Sequence, residues 1–196
     1  MIKYVRFLLG PSEKTKWLDI GCGQGFLVLE ALRNDIDAYG IDISKYALEN
    51  SLIIDRVRYG SITNIPFEDE MFDVISAFDV VEHVNQRDAA KAFSEMHRVL
   101  RCNGLLILTT PNPCAMGNWV YDLTHVNVRP ANYWKMMLAR HGFKIKMKYI
   151  PSFIKYYWRF EIPVPDGILF WLEEPLRYIL GCYMSLKDRI YVFAEK

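Results

Sequence analysis

The sequence predicts an α/β fold built on a parallel β-sheet. Short runs rich in β-branched and aromatic residues alternate along the chain with segments of helical periodicity, which is the pattern of repeated β-α-β units. One of these runs, Leu105 to Thr110, is almost entirely apolar, as expected of a central strand that is covered on both faces.

The first elements are two strands that are each followed by a helix. Lys16 to Ile20 is predicted as a strand, and a glycine turn leads from it into a helix over residues 25–34. Ala38 to Asp42 is the second strand, and Ser44 is placed as the N-terminal cap of a helix that ends near Asn50. Two more strands are predicted over 56–60 and 72–78.

The clearest helix is predicted over Arg87 to Arg101, because four apolar residues recur on one face. These are Ala89, Phe93, Met96 and Leu100. Asn103-Gly104 is predicted to end this helix before the fifth strand, 105–110. A helix from Pro130 to about His141 has proline in its first turn and Gly142 after its end. The last strands are predicted over 143–150 and 189–195.

Composition favours one domain over residues 1–196 and disfavours a nucleic-acid binder. The chain is 52% hydrophobic, which is enough for a large core. Its 24 Lys and Arg nearly balance its 23 Asp and Glu, so there is no global positive field to hold a phosphate backbone.

The four cysteines are scattered, which indicates neither a zinc site nor a disulfide framework. Together with the lack of a secretory signal, this predicts a cytoplasmic protein. The longest uncharged stretch, 102–121, carries prolines and asparagines that are unsuited to a membrane span.

An aromatic-rich insertion separates the last two predicted strands, over residues 151–188. Nine of the 32 residues from Ser152 to Tyr183 are aromatic, about twice the 14% of the whole chain. Three interpretations stay open: a pocket for a hydrophobic or lipid-like acceptor, an interface for a homodimer or a membrane surface, or packing over the sheet.

A glycine turn is the strongest functional signal in the sequence. Gly21, Gly23 and Gly25 lie between the first strand and the first helix, where glycines let a ligand approach the backbone. A dinucleotide fingerprint would need its third glycine at position 26, which is Phe26. Asp42, at the end of the next strand, is placed to accept hydrogen bonds from ribose hydroxyls. The spacing therefore predicts an adenosine-bearing cofactor that carries no pyrophosphate.

Four segments resemble the class I S-adenosylmethionine-dependent methyltransferases, specifically the small type 11/type 23 group. They are LDIGCGQG (18–25), GIDIS (40–44), GSITNIPFEDEMFDVISAFDVVEHV (60–84) and EMHRVLRCNGLLILTTPNP (95–113). The resemblance implies a Rossmann-like, seven-stranded sheet in the order 3-2-1-4-5-7-6, with the last strand antiparallel and helices on both faces. It also implies S-adenosyl-L-methionine as the cofactor.

The family pattern implies a role for each matching residue. Asp19 would orient the glycine turn and reach the methionine amino group, and Asp42 would hold the ribose. Ile43 would lie against the adenine, and Phe78 beside the sulfonium or its amino-acid tail. The family often has Asp where this chain has Ser61, so the Ser61 hydroxyl and the Ile62 N–H are expected to bind the adenine edge more weakly.

Two histidines are candidates for the catalytic chemistry. His125 lies downstream of the fifth strand, in a loop that faces the acceptor pocket of similar enzymes, and either contacts the acceptor or anchors the loop. His83 follows Asp79 and Glu82 at a spacing that brings the three to one side of a helical turn. Similar quinone-precursor methyltransferases bind a metal at an acidic-x-x-Glu-His site, whereas metal-free relatives use the same residues for packing.

We therefore expect a methyltransferase that acts on a small or hydrophobic acceptor, with an oxygen nucleophile as one candidate. The first alternative is a catalytically silent, methyltransferase-like binding or regulatory subunit. The second is an NAD(P)-dependent oxidoreductase, against which the displaced third glycine counts.

Overall fold

The structure is a computed structural model that describes residues 15–113, 122–146 and 189–196. Its strands are β1 (Lys16–Ile20), β2 (Asp37–Asp42), β3 (Val57–Tyr59), β4 (Phe72–Phe78), β5 (Leu100–Pro111), β6 (Lys144–Ile145) and β7 (Arg189–Glu195). Its α-helices are α1 (Phe26–Leu32), α2 (Lys45–Glu49), α3 (Gln86–Val99) and α4 (Ala131–Arg140). Two 3-10 turns cover Ile54–Arg56 and Val81–His83.

The seven strands form one sheet in the order β3-β2-β1-β4-β5-β7-β6. The first five strands pair in parallel, and β7 runs antiparallel to both β5 and β6. The predicted fold class, strand order and antiparallel last strand are confirmed. In such a sheet the carboxyl ends of β1 to β5 lie at one edge, where loops form a ligand crevice.

Alternate residues of the strands enter two apolar layers, one on each face of the sheet. On one face, Leu18 and Ile20 of β1 join a cluster that includes Phe93 of α3 and Trp134 of α4. On the other face, Trp17 joins a cluster that includes Val28 and Ala31 of α1. A parallel sheet needs both faces covered, and the two-residue period of β1 supplies a buried side chain to each.

The boundary between α3 and β5 differs from the prediction. The helix ends at Val99, and Leu100 already has extended dihedrals and pairs with Phe72 of β4. Asn103, at a φ of 62°, and Gly104 do not end the helix but lie in an irregularity of β5, where the register with β4 shifts. The Asn-Gly pair is a turn signal in either place, which is why the sequence pattern put the strand too late.

Other predicted elements differ only at their ends, and several predictions lie outside the described residues. The strand predicted over 143–150 is described only at Lys144–Ile145, and the aromatic-rich insertion at 151–188 is not described. The single-domain prediction over 1–196 stays a prediction. Among the described residues, no helix is both long enough and apolar enough to cross a membrane.

Candidate cofactor and acceptor site

The glycine turn after β1 is held against β2 by backbone hydrogen bonds. The N–H groups of Gly21 and Cys22 both donate to the Ile41 carbonyl, at 2.8 and 3.0 Å. Gly21, Gly23 and Gly25 all have positive φ angles, of 74°, 55° and 82°. Residues with a side chain rarely adopt such angles, so the turn depends on glycine at these positions.

The three glycines differ in what surrounds them. A Cβ at Gly21 would lie 2.5 Å from a methyl carbon of Val80, and one at Gly25 would lie 2.9 Å from Ile53. A Cβ at Gly23 would have no atom within 4 Å, so this glycine faces open space. Gly21 and Gly25 are therefore needed for packing, whereas Gly23 leaves its outer side open to a ligand.

Asp42 fixes the open side of the turn. One of its carboxylate oxygens accepts a hydrogen bond from the Gly23 N–H at 2.8 Å, and the other accepts from the Ser44 N–H at 2.8 Å. Each carboxylate oxygen has a second lone pair that can accept a further bond, for example from a ribose hydroxyl. The structure thus brings Asp42 to the glycine turn, 19 residues away from Gly23 in the chain.

Asp19 is buried beneath the turn and is paired with a residue that the sequence analysis missed. The Ser76 hydroxyl donates to its carboxylate at 2.6 Å and accepts from the Trp17 indole N–H at 2.8 Å. Burial raises the pKa of Asp19 to about 7, against the lowering effect of Ser76, and the nearby Asp42 raises it further. Ser76 lies opposite Asp19 in the β1–β4 register, which only the sheet topology reveals.

The remaining residues predicted for the cofactor lie around the same edge of the sheet in different environments. The Ile43 side chain is 68% exposed directly after Asp42, whereas the Ile62 side chain is in the core. The Ser61 hydroxyl shares a hydrogen bond with the Thr63 hydroxyl at 2.9 Å. Phe78 is half-buried at the end of β4. No ligand contact of these residues is tested, so their roles stay predictions.

Beyond β4, the chain forms the Val81–His83 turn, on which the loop over 122–130 is docked. The Glu82 carbonyl accepts the N–H groups of Val126 and Asn127, at 3.0 and 2.9 Å. His83 Nδ1 lies 3.2 Å from the Thr124 carbonyl and 3.0 Å from its hydroxyl. These contacts bring the two predicted histidines together, and the ring centroids of His83 and His125 are 4.8 Å apart.

The Glu82 side chain is fully buried at this junction. Among the described residues, neither of its carboxylate oxygens makes a hydrogen bond of full geometry, although the nearby Thr110 hydroxyl lies close enough to lower its pKa. Burial raises the pKa of Glu82 to about 7. One carboxylate oxygen of Glu82 and one nitrogen each of His83 and His125 lie within 4.8 Å of one another.

This grouping differs from the trio that the spacing suggested. Asp79 has a φ of 54°, and the segment after it is a 3-10 turn and not part of an α-helix. The Asp79 carboxylate accepts a hydrogen bond from the Thr109 hydroxyl at 3.0 Å. His125, from a different segment, takes the place expected for Asp79 beside Glu82 and His83.

Comparison with known proteins agrees with this geometry. A family model described as a methyltransferase domain matches residues 18–108. A ubiquinone biosynthesis O-methyltransferase of Alkalilimnicola ehrlichii is 34% identical over 119 residues, which cover 57% of this chain and 47% of that protein. A SAM-dependent methyltransferase from Archaeoglobus fulgidus has a similar structure, with a TM-score of 0.72 at 17% identity over 99% of this chain and 91% of that one. Residues 18–108 of the chain are therefore similar to a methyltransferase domain, and the described fold is that of solved S-adenosylmethionine-dependent methyltransferases.

Relatives that this chain matches include S-adenosylmethionine-dependent methyltransferases, so S-adenosylmethionine is the cofactor with which the site is compared. A phosphoethanolamine N-methyltransferase of Haemonchus contortus, solved with that cofactor, has a TM-score of 0.63 at 18% identity, covering 99% of this chain and 51% of that one. The glycine turn fits this cofactor, since Gly23 leaves space beside the backbone and the adjacent Asp42 carboxylate can accept hydrogen bonds from ribose hydroxyls. The chain spans about half the length or less of the curated relatives it matches first.

Cys22, within the glycine turn of the methyltransferase, is not a nucleophile in this environment. Its thiol is buried, and burial together with the carboxylates of Asp19 and Asp42 raises its pKa to about 12. A thiol of this kind stays protonated at neutral pH and serves as a small packing residue. Its sulfur lies against Gly40 of β2, where a Cβ would approach it to 2.6 Å.

Proposed function

We propose that the protein transfers a methyl group from S-adenosylmethionine to an oxygen nucleophile of a small or hydrophobic acceptor. The observation that carries the proposal is the glycine turn, where Gly23 leaves open space and the adjacent Asp42 carboxylate can accept hydrogen bonds from a ribose. The oxygen nucleophile is supported by the similarity to a ubiquinone biosynthesis O-methyltransferase and by the paired imidazoles of His83 and His125, which could act as a base.

When bound, S-adenosylmethionine supplies an electrophilic methyl group on a positively charged sulfur. Asp42 would accept hydrogen bonds from the ribose hydroxyls while it also accepts one from the Gly23 N–H. Asp19 would accept a hydrogen bond from the methionine ammonium. His125, whose Nε2 lies 3.4 Å from the Asp122 carboxylate, would take the proton of the acceptor hydroxyl. Most of the rate gain would come from placing the acceptor in line with the methyl group in a dry pocket.

Asp42 offers the sharpest test of the cofactor site. In Asp42→Ala, the affinity for S-adenosylhomocysteine should fall at least roughly tenfold, because a charged acceptor of two hydroxyls is lost. Isothermal titration calorimetry on the full chain measures the affinity. Asp55→Ala, which removes an exposed carboxylate from the 3-10 turn before β3, is the matched control. Unchanged affinity in a folded Asp42→Ala protein would contradict the ribose assignment.

A second experiment separates an enzyme from a silent binding subunit. The full chain is incubated with methyl-labelled S-adenosylmethionine and a panel of phenols, catechols, carboxylic acids and amines. Labelling of an oxygen acceptor that falls at least roughly a hundredfold in His125→Gln supports the proposal. Tight cofactor binding without transfer to any acceptor favours the silent subunit, and binding of NADH in place of S-adenosylhomocysteine favours the oxidoreductase.

We further propose that residues 151–188 provide the acceptor's apolar surroundings or a contact with a membrane or a second copy of the chain. The support is compositional, since this segment has about twice the aromatic content of the whole chain. Lipid-vesicle cosedimentation and the molar mass in solution distinguish the membrane and dimer roles. We also propose a cytoplasmic location, because the four cysteines are scattered along the sequence and indicate no disulfide framework.

A further inference from the structure

Arg129 follows His125 in the same docked loop, and its guanidinium is held in place by uncharged groups. Its Nε donates to the Asn127 amide oxygen at 3.1 Å, and its Nη2 donates to the Gln86 amide oxygen at 3.3 Å. The guanidinium carbon lies over the Tyr133 ring, 5.5 Å from the ring centroid. These contacts fix the position of the positive charge without neutralising it.

The other arginines with hydrogen-bonded guanidinium groups in the described part of the chain each meet a carboxylate. They are Arg56 with Asp37, Arg98 with Glu95 and Asp69, and Arg101 with Asp73. No carboxylate of the described residues forms an ion pair with Arg129, and Asp88 is bonded instead to the Asn85 amide at 2.7 Å. A half-buried charge without a counter-charge costs free energy, which an anionic ligand would recover.

From this arrangement we infer that Arg129, Asn127 and the beginning of α3 bind an anionic oxygen group, a carboxylate or a phosphate, that the methyl acceptor carries. The role as acceptor rests on the proposed function, in which His125 takes the proton of the acceptor's hydroxyl. The acceptor would then be a hydroxyl compound with an acidic group, and Arg129 would orient it by that group.

The guanidinium of Arg129 has the donors that this ligand needs. Its bonds to Asn127 and Gln86 occupy the edge formed by Nε and Nη2. The outer edge, formed by Nη1 and the second hydrogen of Nη2, has no acceptor among the described residues. Two parallel N–H groups on such an edge match two oxygens of a carboxylate or a phosphate.

Asn127 supplies a second, independent indication of a ligand. The residue is 2% exposed, and its Nδ2 has no hydrogen-bond partner in the described ranges, the nearby Glu82 carboxylate included. The Nε of Arg129 can only donate, so the amide oxygen must face it and the amide cannot be turned to satisfy Nδ2. A buried donor is rarely left without an acceptor, so Nδ2 indicates an acceptor from outside these residues.

The beginning of α3 adds positive potential beside Arg129. Gln86 is the first residue of α3, which starts soon after the carboxyl end of β4, at the edge of the sheet where ligands bind. The N-terminal end of a helix favours negative charge, and the exposed Arg87 adds a second cation. The side chains over 85–88 line a shallow depression that would admit such a group.

Titration of the full chain with benzoate and with inorganic phosphate tests the site without cofactor or methyl transfer. In nitrogen-15-labelled protein, we expect both anions at millimolar concentrations to shift the Arg129 Nε–H resonance to saturation, and neutral benzamide to leave it in place. The Asn127 side-chain amide resonance should shift along the same binding curve, because its Nδ2 would contact the same group.

Arg129→Met removes the charge and keeps an apolar side chain against Tyr133. In this variant the affinity for benzoate and phosphate, followed at the Asn127 amide, should fall at least roughly tenfold, because charge-assisted hydrogen bonds are lost. Arg140→Met, in the last turn of α4 and exposed, is the matched control and should leave the affinity unchanged. Arg129→Lys keeps the charge without the paired donors and should give an intermediate loss.

The titration decides the anion site by itself. Absence of a saturable shift with either anion would overturn the inference, and so would equal benzoate affinity in wild type and Arg129→Met. Binding of benzamide as tight as that of benzoate would also overturn it. Binding of only one of the two anions supports the site and identifies the group that it takes.

A transfer assay then tests whether the anion belongs to the methyl acceptor. Pairs of phenols that differ only in a carboxylate or a carboxamide are compared as acceptors. Arg129→Met should raise KM for the acid at least roughly tenfold with little change in kcat, and should leave both constants unchanged for the amide. Equal KM values for acid and amide in wild type would overturn the acceptor assignment while methyl transfer stands. Failure of every phenol to be methylated would contradict the proposed function and not the anion site.

Discussion

At the scale of single residues, burial and not hydrogen bonding determines the protonation of Asp19 beneath the glycine turn. Asp19 receives a short hydrogen bond from Ser76, which favours its charged form, yet loss of water outweighs that bond and raises its pKa to about 7. Without a ligand, this carboxylate is therefore largely protonated below neutral pH. A ligand that brings a positive charge would favour its ionised form.

The affinity for S-adenosylhomocysteine should therefore rise with pH. Asp19 has a pKa of about 7 in the folded protein and an ordinary value of 3.8, so its contribution to folding stability is largest below pH 4 and declines up to pH 7. Binding of the ligand's ammonium group favours the ionised form of Asp19, so the Asp19 carboxyl releases a proton when the ligand binds. Between pH 6 and pH 8 the affinity should increase roughly tenfold more in wild type than in Asp19→Asn. Calorimetry in buffers of different ionisation enthalpy counts the protons, and identical pH profiles would refute the contact.

Substitution of Gly23 should separate ligand binding from folding. Gly23→Ala places a methyl group in open space at a φ of 55°, at a cost of about 1 to 2 kcal/mol in stability. The same methyl group would obstruct the cofactor and lower its affinity at least roughly tenfold. Gly21→Ala, where the Cβ would meet Val80 at 2.5 Å, should lose more stability. Urea denaturation and calorimetry measure the two effects, and tight cofactor binding by Gly23→Ala would contradict the assignment of its open side.

At the scale of elements, the sequence predicted strands better than their junctions. The bounds of β1, β4 and β7 agree with the prediction, because apolar runs between charged or glycine-rich ends have unambiguous limits. The predicted start of β5 was wrong, because Asn103-Gly104 is compatible with both a helix end and a strand irregularity. Asp42 could be tied to the glycine turn by a family pattern, but the pairing of Ser76 with Asp19 depends on the register of two strands.

Arg98 connects α3 to the segment after β3 and should matter for stability. Its guanidinium donates to the carbonyls of Ile65 and Phe67, at 3.0 and 2.9 Å, and to the Glu95 carboxylate at 2.8 Å. Arg98→Met leaves these acceptors without their donor and should cost about 2 to 3 kcal/mol of unfolding free energy. The ion pair between Arg98 and the exposed Asp69 adds little to the free energy of unfolding.

Urea denaturation measures the cost of Arg98→Met. Arg87→Met, at an exposed position of the same helix, is the control and should change stability by less than about 0.5 kcal/mol. An equal loss in both variants would show that the network around Arg98 does not support the segment that contains Ser61 and Ile62.

At the scale of the whole molecule, the residues predicted for the cofactor and those predicted for the acceptor lie in different parts of the fold. Asp19, Gly23 and Asp42 belong to β1, β2 and the turn between them, whereas His125 lies in a loop that the Val81–His83 turn holds. The first group could be located from sequence because its residues follow one another in a short pattern. His83 and His125 were candidates from sequence, but their contact with each other was not, because they lie in separate segments that backbone hydrogen bonds of a docked loop bring together.

The position of β7 between two strands that precede it in sequence affects the order in which this chain can fold as it leaves the ribosome. β7 is the last strand in sequence, yet it lies between β5 and β6 and not at an edge. Strands β1 to β5 are contiguous neighbours and can pair as soon as they are translated. The nascent chain can therefore assemble strands β1 to β5 early, whereas β6 can join the sheet only after β7 has been synthesised.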